Sequence, residues 1–205
     1  MKVIIINGSP RKGSNTMIAL SEMIDVLADE GIETEVFNIA DTPVEDCRAC
    51  GACSKLGRCV IQDKVNDVSE ALKDADGLVV GSPVYYGAAA GRVASFMNRL
   101  FYSMPYDPTM KVGAAFCCAR RGGIETAFDQ LNKYFTISGM PVASSKYWNG
   151  IHGAKPGEAS QDTEGIGVAR ILARNMSFLI KSIALGKEAY GSPKSEPKKS
   201  MNFIH

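Results

Sequence analysis

The chain has 205 residues, enough for one α/β domain with a sizeable core, and its 45% hydrophobic and 22% charged residues are those of a globular protein. Its 23 basic and 22 acidic residues leave a net charge of +1, which argues against nucleic acid or an anionic membrane as partner. No apolar run reaches the roughly 18–20 residues that span a bilayer, and the opening MKVIIING is too short for a signal-peptide core, so the expectation is the cytoplasm, where six cysteines need a role other than disulfides.

Residues 3–6 (VIII) are an all-apolar run, as in a parallel strand buried on both faces. A helix follows, with Leu20, Met23, Ile24 and Leu27 at i, i+3, i+4 and i+7. Gly31 suits its C-terminal stop. Residues 32–39 alternate as a second strand, and residues 41–63 form a loop with Pro43 and four cysteines. Residues 66–76 are helical, and residues 78–80 make a third strand that ends at Ser82-Pro83. Residues 91–102 return to helix, and residues 112–117 make a fourth strand that ends at Arg120-Arg121-Gly122-Gly123. A helix over 124–138, a weaker fifth strand over 142–147 and a loop over 149–158 come next. The longest helix covers 163–187, with Ile166, Ala169, Ala173, Met176, Ile180 and Ile183 on one stripe.

Alternating strands and helices predict a parallel sheet with right-handed crossovers. Five such units predict an α/β three-layer sandwich of the flavodoxin-like type, five strands in the order 2-1-3-4-5. One domain is expected over 1–187, with a cysteine-rich loop at 43–62. The Pro- and Lys-rich tail, 188–205, reads as a mobile segment or an oligomer arm.

The first βα loop reads NGSPRKGSNT. In a sheet of this kind ligands bind beyond the carboxyl ends of the strands. Ser9, Ser14, Asn15 and Thr16 offer donors, Arg11 suits a phosphate, and the helix N-terminus adds its dipole. Gly8 and Gly13 have Walker A spacing, but Ser14 stands where the lysine is needed, and Gly-x-Gly-x-x-Gly is absent. A monophosphate cradle remains, beside the plainer reading of a loop that merely caps its helix.

GSPRKGSNT after the opening strand, Ser82-Pro83-Val84-Tyr85-Tyr86-Gly87 after the third and Ala119-Arg120-Arg121-Gly122-Gly123 after the fourth resemble, in that order, the loops of the NADPH-dependent FMN reductase family. The resemblance implies a flavodoxin-like fold holding FMN. Ser9, Arg11, Ser14, Asn15 and Thr16 would take its phosphate. Pro83, Val84, Tyr85, Tyr86 and Gly87 would wrap the isoalloxazine, with Tyr85 or Tyr86 packed on it. Arg121, Gly122 and Gly123 would approach the pyrimidine edge. The implied activity passes electrons from NAD(P)H or a ferredoxin-like donor to a small acceptor such as a quinone, an aromatic compound or oxygen, with no catalytic side chain. The loops at 86–91 and 148–158 would select the acceptor. The alternative is a non-enzymatic electron carrier, which the near-neutral charge disfavours. A homodimer or homotetramer is also implied.

Cys47-x2-Cys50-x2-Cys53-x5-Cys59 gathers four thiols in one loop, as cluster ligation requires. The gap before the last cysteine differs from the bacterial ferredoxin run. The motif and its position resemble the iron–sulfur flavoprotein branch of the same family, which implies a [4Fe–4S] cluster. Zinc and redox-sensitive thiols without metal are the alternatives. Cys117 and Cys118 read as core, and His152 and His205 receive no role.

Overall fold

The computed structural model describes residues 1–194 and Glu196. It contains, in chain order, β1 (Lys2–Asn7), α1 (Asn15–Asp29), β2 (Glu33–Asn38), α2 (Cys53–Leu56), α3 (Lys64–Lys73), β3 (Gly77–Tyr85), β4 (Ala88–Ala89), α4 (Gly91–Ser103), β5 (Val112–Ala119), α5 (Ile124–Ile137), β6 (Gly150–His152) and α6 (Thr163–Tyr190). A 3-10 turn, Glu158–Gln161, precedes α6. The character expected of the tail falls mainly on residues outside those described. Among the described residues no helix is long and apolar enough to cross a membrane.

The parallel strands run β2-β1-β3-β5-β6, and β4 folds back antiparallel on the end of β3. Leaving out that short return, the order is the one the alternating pattern predicts. β2 and β3 flank β1 independently. Successive side chains of a strand point to opposite faces, so β1 feeds two cores. Val3 and Ile5 pack with Leu20, Met23 and Leu27 of α1 and with Leu172 and Met176 of α6. Ile4 and Ile6 pack with Leu72 of α3, Phe96 and Leu100 of α4 and Phe135 of α5. All four residues are fully buried, which is why the run has no polar alternation. The layers fit closely at Gly113, where an added Cβ would lie 2.4 Å from Phe135 Cγ.

The fifth strand departs from expectation. Val142 makes only an isolated bridge to Gly113, and the Ala143 N–H reaches the Gly113 carbonyl at 2.8 Å. The chain then leaves the sheet. Ser145 Oγ donates to the Tyr147 carbonyl at 2.6 Å, bonds Asn149 Oδ1 at 2.8 Å and accepts from the Tyr147 N–H at 3.3 Å. These local bonds offer the backbone an alternative to the ladder. Pairing resumes at β6, where Gly150, Ile151 and His152 align with Cys117, Cys118 and Ala119. Residues 142–147 are therefore no strand, and part of the expected 149–158 loop is one. α6 also continues past the expected stop to Tyr190.

Candidate functional site

The carboxyl ends of β1, β3 and β5 open into a cleft of about 260 Å³. The β1–α1 loop builds one wall. Asn7 Oδ1 accepts from the Ser9 N–H at 3.1 Å, the Gly8 N–H donates to Gly81 O at 2.9 Å, and Ser9 Oγ accepts from the Arg11 N–H at 3.4 Å. Ser14 caps α1, its Oγ accepting from the Met17 N–H at 3.0 Å. The first N–H groups of such a helix have no partner within it and carry the positive dipole end. Ser9, Ser14, Asn15 and Thr16 are buried although polar, while Arg11 is exposed and its Nη1 donates to the Ala154 carbonyl at 3.3 Å. Asn15 turns partly inward: its Nδ2 donates to Lys155 O at 2.9 Å and its Oδ1 accepts from the Ala159 N–H at 3.1 Å. It therefore ties the loop after β6 to this wall.

Of the residues expected at a cofactor, Ser9, Arg11, Ser14, Asn15, Thr16, Pro83, Val84 and Tyr85 line the cleft. Tyr86 and Gly87 do not. They form the two-residue loop between β3 and β4, with φ of 51° and 74°. Positive φ at both central residues matches the twist of such hairpins. It leaves Tyr86 fully exposed. Gly123, with φ of 92°, supports this hairpin: a Cβ there would lie 2.8 Å from Gly87 Cα. Arg121, Gly122 and Gly123 stand outside the cleft wall, and Arg121 lines a neighbouring cavity of about 90 Å³ with Trp148, His152 and Asp162.

The cleft also holds residues that sequence reasoning missed: Cys118, Arg120, Gly153, Ala154 and Pro156. Cys118 belongs to the core but also lies beside Thr16 at the floor of the cleft. Burial, helped by Asp162 and opposed by a Thr16 hydrogen bond and Arg11, pushes its thiol up to about 11, so it is a neutral wall and not a nucleophile. Arg120, the neighbour of the expected Arg121, was signalled by the same double arginine. His152 has partners too: its Nε2 lies 3.0 Å from the Arg121 carbonyl, its N–H donates to Asp162 Oδ2 at 2.7 Å, and Nδ1 stands 3.4 Å from that oxygen. Burial pushes the Asp162 carboxyl up, but the N–H groups of Gly165 and His152 outweigh it and hold the group below the usual carboxylate range.

A second centre lies in the loop between β2 and α3. Cys47, Cys50, Cys53 and Cys59 all line one pocket, with Arg99, Tyr102 and Ser103 of α4 as its other side. Ala49 and Gly51 have φ of 50° and 68°, which coils the backbone tightly between the cysteines. Among the described residues no three His, Cys, Asp or Glu side chains are grouped to hold one metal ion. Thiolates on a single zinc must converge to about 2.3 Å from it, and the four cysteines, though they border one pocket, are not grouped in that way. Arg99 was missed by sequence reasoning and is only 1% exposed. Its Nε and Nη2 each lie 3.3 Å from Cys59 Sγ, and it pairs with Asp63 at 2.6 and 2.9 Å. It also donates to the Glu45 and Ile61 carbonyls at 3.3 and 3.2 Å. One guanidinium thus pins both ends of the cysteine loop. Burial lowers its pKa, but Asp63 and Cys59 more than offset that and raise it. Asn66 fixes the Cys59 backbone, accepting from its N–H at 3.0 Å and donating to its carbonyl at 3.1 Å.

A profile of the NADPH-dependent FMN reductase family matches residues 1–155. The chain belongs to that family. This reductase chain is 35% identical over 194 residues to an iron–sulfur flavoprotein of Methanocaldococcus jannaschii, covering 89% of this chain and 99% of the relative. It is 30% identical to an iron–sulfur flavoprotein of Methanosarcina thermophila, covering 92% and 100%. Among solved structures, RosB with a bound 8-demethyl-8-formylriboflavin-5'-phosphate superposes with a TM-score of 0.72 at 18% identity, covering 100% of this chain and 92% of that one. That likeness shows the shared fold. The reductase is a flavodoxin-like, FMN-dependent oxidoreductase.

Proposed function

We propose that the reductase holds FMN in the cleft at the ends of β1, β3 and β5 and passes electrons from NAD(P)H or a ferredoxin-like donor to a small acceptor. The observation that carries this reading is the donor set of the cleft: the Arg11 and Arg120 side chains, buried hydroxyls of Ser9, Ser14 and Thr16, and the N-terminus of α1 meet in one place. That set fits a phosphate dianion. Arg11 and Ser9 would take the phosphate, with Ser14 and Thr16 beside the helix end. Pro83, Val84 and Tyr85 would cover one side of the ring, and Gly123 would keep the β3–β4 hairpin closed against the loop after β5. FMN supplies the redox chemistry when bound. The protein's part is to orient it, tune its charge and leave a face open for a quinone, an aromatic compound or oxygen. No side chain of the cleft is poised as a nucleophile.

In the same reading Cys47, Cys50, Cys53 and Cys59 hold a [4Fe–4S] cluster. Support comes from their shared pocket, from the N–H donors that Arg99 sends to Cys59 and from the named relatives. The cluster would allow one-electron exchange with a protein donor. Six free cysteines fit a reducing compartment, and we assign the chain to the cytoplasm. Exposed Phe178 and Leu185, two turns apart on one side of α6, offer apolar surface for a homo-oligomer.

Titration of apoprotein with FMN and with riboflavin, followed by fluorescence, tests the central claim. FMN should bind at least ten times more tightly than riboflavin, since the phosphate contacts are charge-assisted. Equal affinity for the two, or no uptake of either by folded protein, would overturn it. Anaerobic spectra during NADH, NADPH and ferredoxin addition then assign the donor.

A further inference from the structure

Arg99 and Ser103 lie one turn apart on α4 and so share a face of it. Both line the cysteine pocket. Arg99 directs two N–H groups at Cys59 Sγ, at 3.3 Å each. Ser103 Oγ is buried and has no hydrogen-bond partner, a costly state for a hydroxyl unless something in the pocket accepts its proton. An apolar residue at 103 would carry no such cost.

We propose that this face of α4 is a donor surface for the sulfurs of the iron–sulfur centre, raising its reduction potential through Arg99 and Ser103. The inference rests on the reading of the four cysteines as cluster ligands. Adding an electron to such a centre increases negative charge on its sulfurs, and hydrogen bonds or a cation beside them favour the reduced state. Asp63 works in the opposite sense. Its carboxylate pairs with Arg99 in a two-point contact, which stabilises the buried cation and tempers its field at Cys59. The three residues therefore carry predictions of different sign, which a purely structural role does not.

The test uses the full-length chain with its cluster reconstituted anaerobically, iron and sulfide assayed, folding checked by circular dichroism, and potentials read by spin-resonance-monitored redox titration. Arg99→Gln should disfavour reduction about tenfold, a fall of about 59 mV for a one-electron couple. Arg99→Lys, which keeps charge but not the fork, should fall between it and the parent. Ser103→Ala should also lower the potential. Asp63→Asn should raise it, because it removes the carboxylate that tempers Arg99, while asparagine still caps α3. Unmoved potentials, or shifts of the same sign in Arg99→Gln and Asp63→Asn, would overturn the inference. Should the Arg99 variants fail to fold, Ser103→Ala decides: a parental potential refutes it, a lower one supports it. A parent chain that takes up no iron refutes the cluster reading as well, whereas a parent with an intact cluster and insensitive variants refutes this inference alone.

Discussion

Arg11 and Ser14 sit three residues apart in one loop but do different physical work, and their substitutions should separate. The Arg11 guanidinium is exposed, touching only the edge of the fold at the Ala154 carbonyl. Arg11→Ala should leave the melting temperature of apoprotein within a degree or so, since such exposed contacts contribute little. It should weaken FMN binding by about 1.5–3 kcal/mol, the range for a hydrogen bond to a charged group, while riboflavin binding stays as it was. Ser14 is the N-cap of α1. Ser14→Ala should cost about 1 kcal/mol of apoprotein stability in urea titrations before any ligand is added, and Ser14→Asn should restore most of it. The pairing of a cap with a binding role explains why this loop was legible beforehand: its donors are contiguous in sequence. Cys118, Arg120 and Pro156 were not legible as partners of that loop, because only the assembled sheet, with β3 between β1 and β5 and β6 beyond, brings those strand ends to one rim. Arg99 was hidden for the same reason. It lies on a segment that the sequence marks only as a helix, and only packing reveals a buried cation within it.

At the scale of elements, α6 begins on Asp162, whose carboxylate accepts from the Gly165 N–H and also from the His152 N–H of β6. The same residue therefore starts a helix and fastens a strand. Its folded pKa is depressed relative to an ordinary aspartate near 3.9. Such a group adds stability that is fully present above the unfolded value and is lost as pH falls through the folded one. Asp162→Asn keeps a good cap, so it removes chiefly the charge. The parent should melt above Asp162→Asn at pH 6–7, and the gap should shrink as the pH falls below the ordinary aspartate range, read by scanning calorimetry. A gap that keeps its full size from pH 7 down through the acid range would show that shape and not charge is what matters here. β6 also marks where sequence patterning falls short. β1, β3 and β5 are apolar runs covered on both sides, and their composition declares them. β6 is three residues long, and Ser145 draws the preceding segment away by bonds that hydrophobic periodicity does not register.

For the molecule as a whole, binding of FMN should raise stability by mass action, by about 2.7 kcal/mol at a free concentration one hundred times the dissociation constant. For a chain of this size that corresponds to a rise of roughly 5–10 °C in melting temperature, and riboflavin at the same concentration should give a smaller shift. The segment between β2 and α3 should contribute little to either curve. Its regular structure among the described residues is the single turn of α2, and Arg48, Lys55 and Arg58 all stand exposed along it. Trypsin should therefore nick the apoprotein there first. Because β2 and β3 are each hydrogen-bonded to β1 on their own account, the two pieces should stay together and still take up flavin. Cleavage after Arg48, however, strands Cys47 on one fragment and the other three thiols on the other.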